Sequence, residues 1–181
     1  MELILWEIWS YLQVPFFCYI FSRFLHRNIV DDIIAGAMIG LAIEFATEPL
    51  WIYHFKINFY KHTPLSIPLG WGVMFAQVVF VSEKLYCLVL KKDKIMHHDK
   101  RIFIFDALAG VLIGFPLEAM GFHAGVWDYN YNTLGWNMGR VPIFNMPIEA
   151  LIGYALLMLL APTFVRCWHG AAFVTARTER A

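Results

Sequence analysis

Charge is what this sequence has least of. Only 15% of its 181 residues are Asp, Glu, Lys or Arg, against 60% hydrophobic, and the formal net charge is zero. With a mean hydropathy of +0.57, the composition excludes a soluble domain of this size and sets the class as integral membrane. The balanced charge argues against nucleic acid as a partner. Cysteine is scarce too: Cys18, Cys87 and Cys167 are an odd number of scattered thiols, which excludes a disulfide framework and a cysteine metal site. There is no phosphate-binding glycine loop, dinucleotide fingerprint or nucleophile elbow. No basic leader or small-residue cleavage site precedes the first apolar run, so no cleavable signal peptide is expected. Histidine repeats of the kind a di-iron oxygenase needs are missing; only His97 and His98 are adjacent. His54, His62 and His123 fall on the same side as two glutamates, yet no pair has zincin spacing. The expectation is no metal and no cofactor.

What the chain has in abundance is apolar runs. A bilayer-spanning helix needs roughly 20 mostly apolar residues, and five stretches qualify: about 4–24, 32–52, 67–90, 102–122 and 144–165. The fold class is therefore all-α, a five-helix transmembrane bundle forming one domain. The first span is the least regular, since it carries Glu7, Gln13 and Pro15. The tail after Cys167 reads as short and frayed. With five spans, one side holds Arg23, Arg27, Lys91, Lys92, Lys94, Lys100, Arg101, Arg166, Arg177 and Arg180; the other holds Lys56, Lys61 and Arg140. The positive-inside rule then puts the N-terminus outside and the C-terminus in the cytoplasm, in a cytoplasmic-type membrane. Lys84, beside Glu83, reads as a local ion pair or a snorkelling side chain.

The second and fourth spans resemble one another. DIIAGAMIGLAIE (32–44) aligns with DALAGVLIGFPLE (106–118) at a constant offset of 74 residues. Asp, Ala, Gly, Ile, Gly and Glu coincide. Beyond the glutamate, Trp51 and Tyr53 answer Trp127 and Tyr129, and Pro64 and Pro68 answer Pro142 and Pro147. The chain thus divides into an N-terminal helix (1–30), a first repeat unit (31–101), a second (102–166) and a tail (167–181). Each unit is a helix, an aromatic loop and a proline-led helix. Two spans per unit give both units the same orientation, related by an axis along the membrane normal. The Gly36/Gly40 and Gly110/Gly114 pairs read as close helix packing. Asp32 and Asp106 read as first-turn acids that complement the helix dipole.

The acids at the other end of these helices carry the functional signal. Glu44 and Glu118 hold the same repeat position, and Glu149 opens the fifth span on the same side. Carboxylates within a membrane are costly and tend to be functional. Glu48, followed by Pro49, reads as a helix end, and Glu149 can also be explained by the dipole. Around the acids lie Trp51, Tyr53, Trp71, His123, Trp127, Tyr129 and Trp136, candidates for binding a substrate. A carboxylic acid in a dry cavity can protonate an alkene, and aromatic faces stabilise the carbocation that forms. The same set also suits binding a polyene without reaction.

Pro147-Ile148-Glu149, preceded by Trp127-x-Tyr129-Asn130 and Leu134-Gly135, resembles the heterodimeric-type lycopene cyclases. Glu118 followed by Gly125-x-Trp127-x-Tyr129 and a later proline resembles the membrane carotenoid hydratases. The resemblance covers about residues 31–162. It implies a small multi-span enzyme acting on a carotenoid or other isoprenoid by redox-neutral, proton-initiated chemistry: cyclisation, hydration or isomerisation. Glu118, Glu149, Trp127 and Tyr129 carry over from it. Where the cyclase pattern has a second acid, this chain has Ala150, and the first unit has no acid at Pro68-Leu69-Gly70-Trp71. Glu44, Trp51 and Tyr53 enter through the repeat alone. The expected enzyme uses Glu118 as leading proton donor with Glu44 or Glu149 as partner. The rival is a non-catalytic membrane subunit that binds lipid, pigment or partner helices; a proton-coupled transporter is a weaker third. Homo- and hetero-oligomers both stay open.

Overall fold

A computed structural model describes residues 2–178 apart from 97, 98, 134, 137, 143 and 145; the His97-His98 pair lies outside the described residues. The order is α1 (Glu2–Phe24), α2 (Val30–Thr47), a 3-10 turn (Glu48–Leu50), β1 (Trp51–Tyr53), α3 (Ser66–Leu90), α4 (Ile102–His123), β2 (Trp127–Tyr129) and α5 (Ile148–Thr178). Among the described residues, five helices are long and apolar enough to cross a membrane. Their outward faces carry Leu12, Leu88, Leu112, Leu156 and Leu160, all exposed, as expected of surfaces solvated by lipid.

The boundaries follow from proline. α2 stops at Thr47, short of the expected residue 52, and gives way to the 3-10 turn, because Pro49 has no N–H to carry the helical hydrogen bonds on. Thr47 closes the end: its Oγ1 donates to the Ile43 carbonyl (2.8 Å) and accepts from Trp51 Nε1 (2.9 Å). α5 begins at Ile148, just after Pro147, rather than near residue 144. It also runs to Thr178, where the sequence pointed to a frayed tail after Cys167; Ala171, Ala172 and Ala176 favour helix there. The bundle is not wholly α. β1 and β2 form an antiparallel ribbon at one end, pairing Trp51 with Tyr129, Ile52 with Asp128 and Tyr53 with Trp127.

α3 is the hub. It packs against α1, α2, α4 and α5 and buries Trp71, Val73, Met74, Phe75, Ala76, Val78 and Val79. Glycine lets its neighbours close in. A Cβ on Gly36 would lie 3.0 Å from Gly72 Cα, and one on Gly110 would lie 2.5 Å from Met158 Cγ. Gly36, Gly40 and Gly110 are packing devices, as read, whereas a Cβ on Gly114 would come no closer than 3.7 Å to a neighbouring helix.

At the end opposite the ribbon the structure adds to one reading and corrects another. Asp32 sits in the first turn of α2, as read, whereas Asp106 lies beyond the first turn of α4, and both are buried and held by arginines. Asp32 accepts from Arg27 Nη2 at 3.0 Å, and Asp106 accepts from both Nη atoms of Arg166. Glu83 joins the halves: it accepts from Arg27 Nη1 at 2.6 Å and lies 3.5 Å from Arg166 Nε. One charge chain thus ties α2, α3, α4, α5 and the α1–α2 loop together. Glu83 turns to these arginines, and Lys84 instead places its ammonium over the Phe80 ring, 5.5 Å from the centroid.

Candidate functional site

At the ribbon end both repeat-position glutamates are buried, Glu44 completely and Glu118 to 5% exposure. Each is held by aromatic donors. Glu44 Oε1 accepts from Trp71 Nε1 and Oε2 from Tyr53 Oη, both at 2.8 Å. Glu118 Oε1 accepts from Trp127 Nε1 at 2.9 Å and from Tyr129 Oη, and its Oε2 accepts from Tyr154 Oη. The ribbon sets this geometry. Alternate residues of a strand share a face, so Trp51 and Tyr53 point one way, as do Trp127 and Tyr129. Burial, then the adjacent carboxylate, pushes the Tyr53 and Tyr129 phenols well above their ordinary pKa, so both stay neutral hydrogen-bonding groups across the physiological range.

A cavity of about 170 Å³ opens beside Glu118. α3 supplies its floor through Ser66, Ile67, Gly70, Trp71 and Met74; α1 supplies Trp6, Trp9, Ser10 and Gln13 as one wall. α4 contributes Gly114, Leu117, Glu118, Met120 and Gly121. Trp51, Tyr53, Phe55, Val126 and Trp127 roof it, and Tyr154 closes it from α5. Trp9, Leu117 and Met120 line the cavity and are also exposed. Exposed apolar side chains of α1 and α4 thus border the cavity.

Of the sequence candidates, Glu118, Trp51, Tyr53, Trp71 and Trp127 line this cavity. Glu44 stands behind it, bonded to the lining residues Tyr53 and Trp71. Tyr129 holds Glu118 from the ribbon and packs at a tilt against Trp51, ring centroids 5.0 Å apart. Three candidates are placed elsewhere. Glu149 Oε1 accepts from the Met138 amide at 2.9 Å, which fixes the loop before α5. His123 is exposed at the end of α4. Trp136 packs behind Tyr129, centroids 6.0 Å apart. His54 pairs with Asp128 across the ribbon at 3.0 Å. Among the described residues, no cluster of three His, Cys, Asp or Glu side chains is arranged to hold a metal.

Sequence reading passed over Tyr154, although a tyrosine inside an apolar span needs a polar partner. It also passed over the α1 wall, where Ser10 and Gln13 were the available signal.

Gly121 fixes Trp127. A Cβ there would lie 1.9 Å from the indole Cη2. Gly121→Ala is expected to push the ring off Glu118 and to destabilise the protein by about 1–3 kcal/mol, the range for overpacking. A thermal melt of the purified protein, read by tryptophan fluorescence, checks this; an unchanged midpoint and emission spectrum would contradict it.

Comparisons with protein-family models, curated proteins and solved structures return no match.

Proposed function

We propose that the protein is a membrane enzyme that acts on a carotenoid or other isoprenoid by redox-neutral acid–base chemistry, with Glu118 as the proton donor. The observation that carries this reading is a buried glutamate, ringed by indole and phenol groups, at the wall of a cavity bordered by exposed apolar side chains. The resemblance of Glu118, Trp127 and Tyr129 to the hydratase pattern points the same way.

Size selects the part of the substrate that enters. An apolar void of about 150 Å³ already holds a benzene, so about 170 Å³ takes the end group of a long chain. The remainder of the chain lies outside, among lipid tails, through the gap between α1 and α4. The Glu118 O–H transfers its proton to one alkene carbon; the π pair becomes the new C–H bond and the other carbon becomes cationic. The faces of Trp51, Trp71 and Trp127 stabilise that cation. Water addition or ring closure, with loss of a proton, completes the reaction. Trp127 only donates, whereas Tyr129 and Tyr154 can donate or accept. Glu118 is therefore hydrogen-bonded both as the acid and as its conjugate base. Tyr53, which lines the cavity and bonds Glu44, links the second carboxyl group to the site.

The repeat belongs to the same reading. Ile52 and Asp128 are the middle residues of their strands and pair with each other, flanked by Trp51–Tyr129 and Tyr53–Trp127. A local two-fold axis generates such a pairing, which supports two units brought together by duplication. The basic asymmetry supports placing the arginine end in the cytoplasm and the ribbon end outside.

Expression of the chain in a carotenoid-accumulating bacterial host tests the function. The expected result is a new pigment that differs from the starting polyene by one water, or that has equal mass and a shifted spectrum. A product oxidised or reduced relative to the starting polyene would overturn the redox-neutral assignment.

A further inference from the structure

The cavity is not apolar throughout. Ser66, at the start of α3, lines it and is fully buried, yet its Oγ has no hydrogen-bond partner among the described residues. A buried hydroxyl left without a partner carries a penalty that a bound polar atom removes. One turn further along the same face of α3 is Gly70, and a Cβ there would lie 3.4 Å from Gln13 Nε2 of α1. Gln13 also lines the cavity, and Nε2 already donates one of its two hydrogens to the Ser10 carbonyl at 2.9 Å. A serine hydroxyl on α3 and a carboxamide on α1, the latter next to the residue one turn on from the serine, therefore line the same cavity as Glu118.

We propose that Ser66 and Gln13 form an oxygen-binding subsite, and that the molecule the cavity takes is a long apolar chain bearing one neutral oxygen, an alcohol or a carbonyl. No Lys, Arg or His lines the cavity among the described residues, so a phosphate or diphosphate would meet Glu118 with no cation to offset its charge. A neutral oxygen needs only the donors and acceptors present, and Gly70 leaves room beside the amide. The proposal rests on the cavity described under the proposed function and names the chemistry of its ligand; it does not depend on whether Glu118 transfers a proton.

Five cavity residues are tryptophans: Trp6, Trp9, Trp51, Trp71 and Trp127. Their fluorescence reports occupancy. The purified full chain in detergent micelles is titrated with a dibrominated long-chain alcohol and, separately, with the dibrominated alkane of equal length. Both are expressed as mole fraction in the micelle. The wild type is expected to be half-quenched by the alcohol at about tenfold lower mole fraction than by the alkane, the worth of one or two hydrogen bonds. Ser66→Ala and, independently, Gln13→Leu are expected to remove most of that preference without weakening the alkane. Equal quenching of the wild type by both probes, or an unchanged preference in both variants, overturns the oxygen subsite and leaves the acid–base reading standing. Quenching by neither probe overturns the cavity and both readings with it.

Discussion

Glu118→Gln is expected to reduce product formation in the carotenoid-accumulating host by about 10²–10⁴-fold, the range for loss of a positioned general acid, while the protein still folds. The amide keeps the shape of the side chain, and its oxygen can still accept from Trp127. Its NH₂ meets the Tyr154 hydroxyl, which can accept as well as donate. What the variant lacks is a transferable proton on an oxygen. Glu44→Gln is expected to cost less, because Glu44 reaches the cavity only through Tyr53 and Trp71. Pigment extracted from matched cultures and normalised to folded protein measures both. Equal loss in the two variants would mean that the carboxylates are matched structural pins and that Glu118 has no special place at the cavity.

Arg166→Met should be the most damaging single change to stability. Arg166 holds the fully buried Asp106, donates to Ser82 Oγ at 2.7 Å and faces Glu83. Its removal leaves a buried carboxylate without its cation, which costs about 3–5 kcal/mol in comparable buried pairs. The double variant Arg166→Met with Asp106→Leu should regain much of that loss, since an apolar pair of similar volume is often no worse than the ion pair it replaces. Thermal unfolding of the two variants against the wild type provides the measure. If the double variant is as unstable as the single one, the arginine is needed for something other than Asp106, most directly its contact with Glu83.

These two regions also show where the sequence was legible. The helices were, because each span is a long apolar run and no competing structure satisfies its backbone in lipid. Their ends moved by a few residues wherever proline set the boundary, at Pro49 and Pro147. Glu44 and Glu118 stood out because an acid in an apolar helix is conspicuous, and the offset of 74 residues placed them as a pair. The partners of those acids were only partly legible. Trp127 and Tyr129 lie close in the chain to Glu118; Tyr154 lies 36 residues away, and only the packing of α5 on α4 brings it there. Asp106 was misread for the same reason, since Arg166 lies 60 residues away in the chain. Asp32 does sit in the first turn of α2, and its partner Arg27 is only five residues before it. The ribbon was hidden by its length, since three residues of strand leave no periodic signal.

The central claim is that the Glu118 cavity holds a long apolar molecule entering from the bilayer, and mass spectrometry of what co-purifies with the protein tests it most directly. Gly114 lines the cavity, and a Cβ there would come no closer than 3.7 Å to any neighbour. Gly114→Leu should therefore fold while filling the space. The wild type and Glu118→Gln are expected to carry an isoprenoid-type molecule in near-equal amount to protein, and Gly114→Leu to carry little or none. Retention of the same molecule by Gly114→Leu, at wild-type level, would show that it binds elsewhere and would contradict the account.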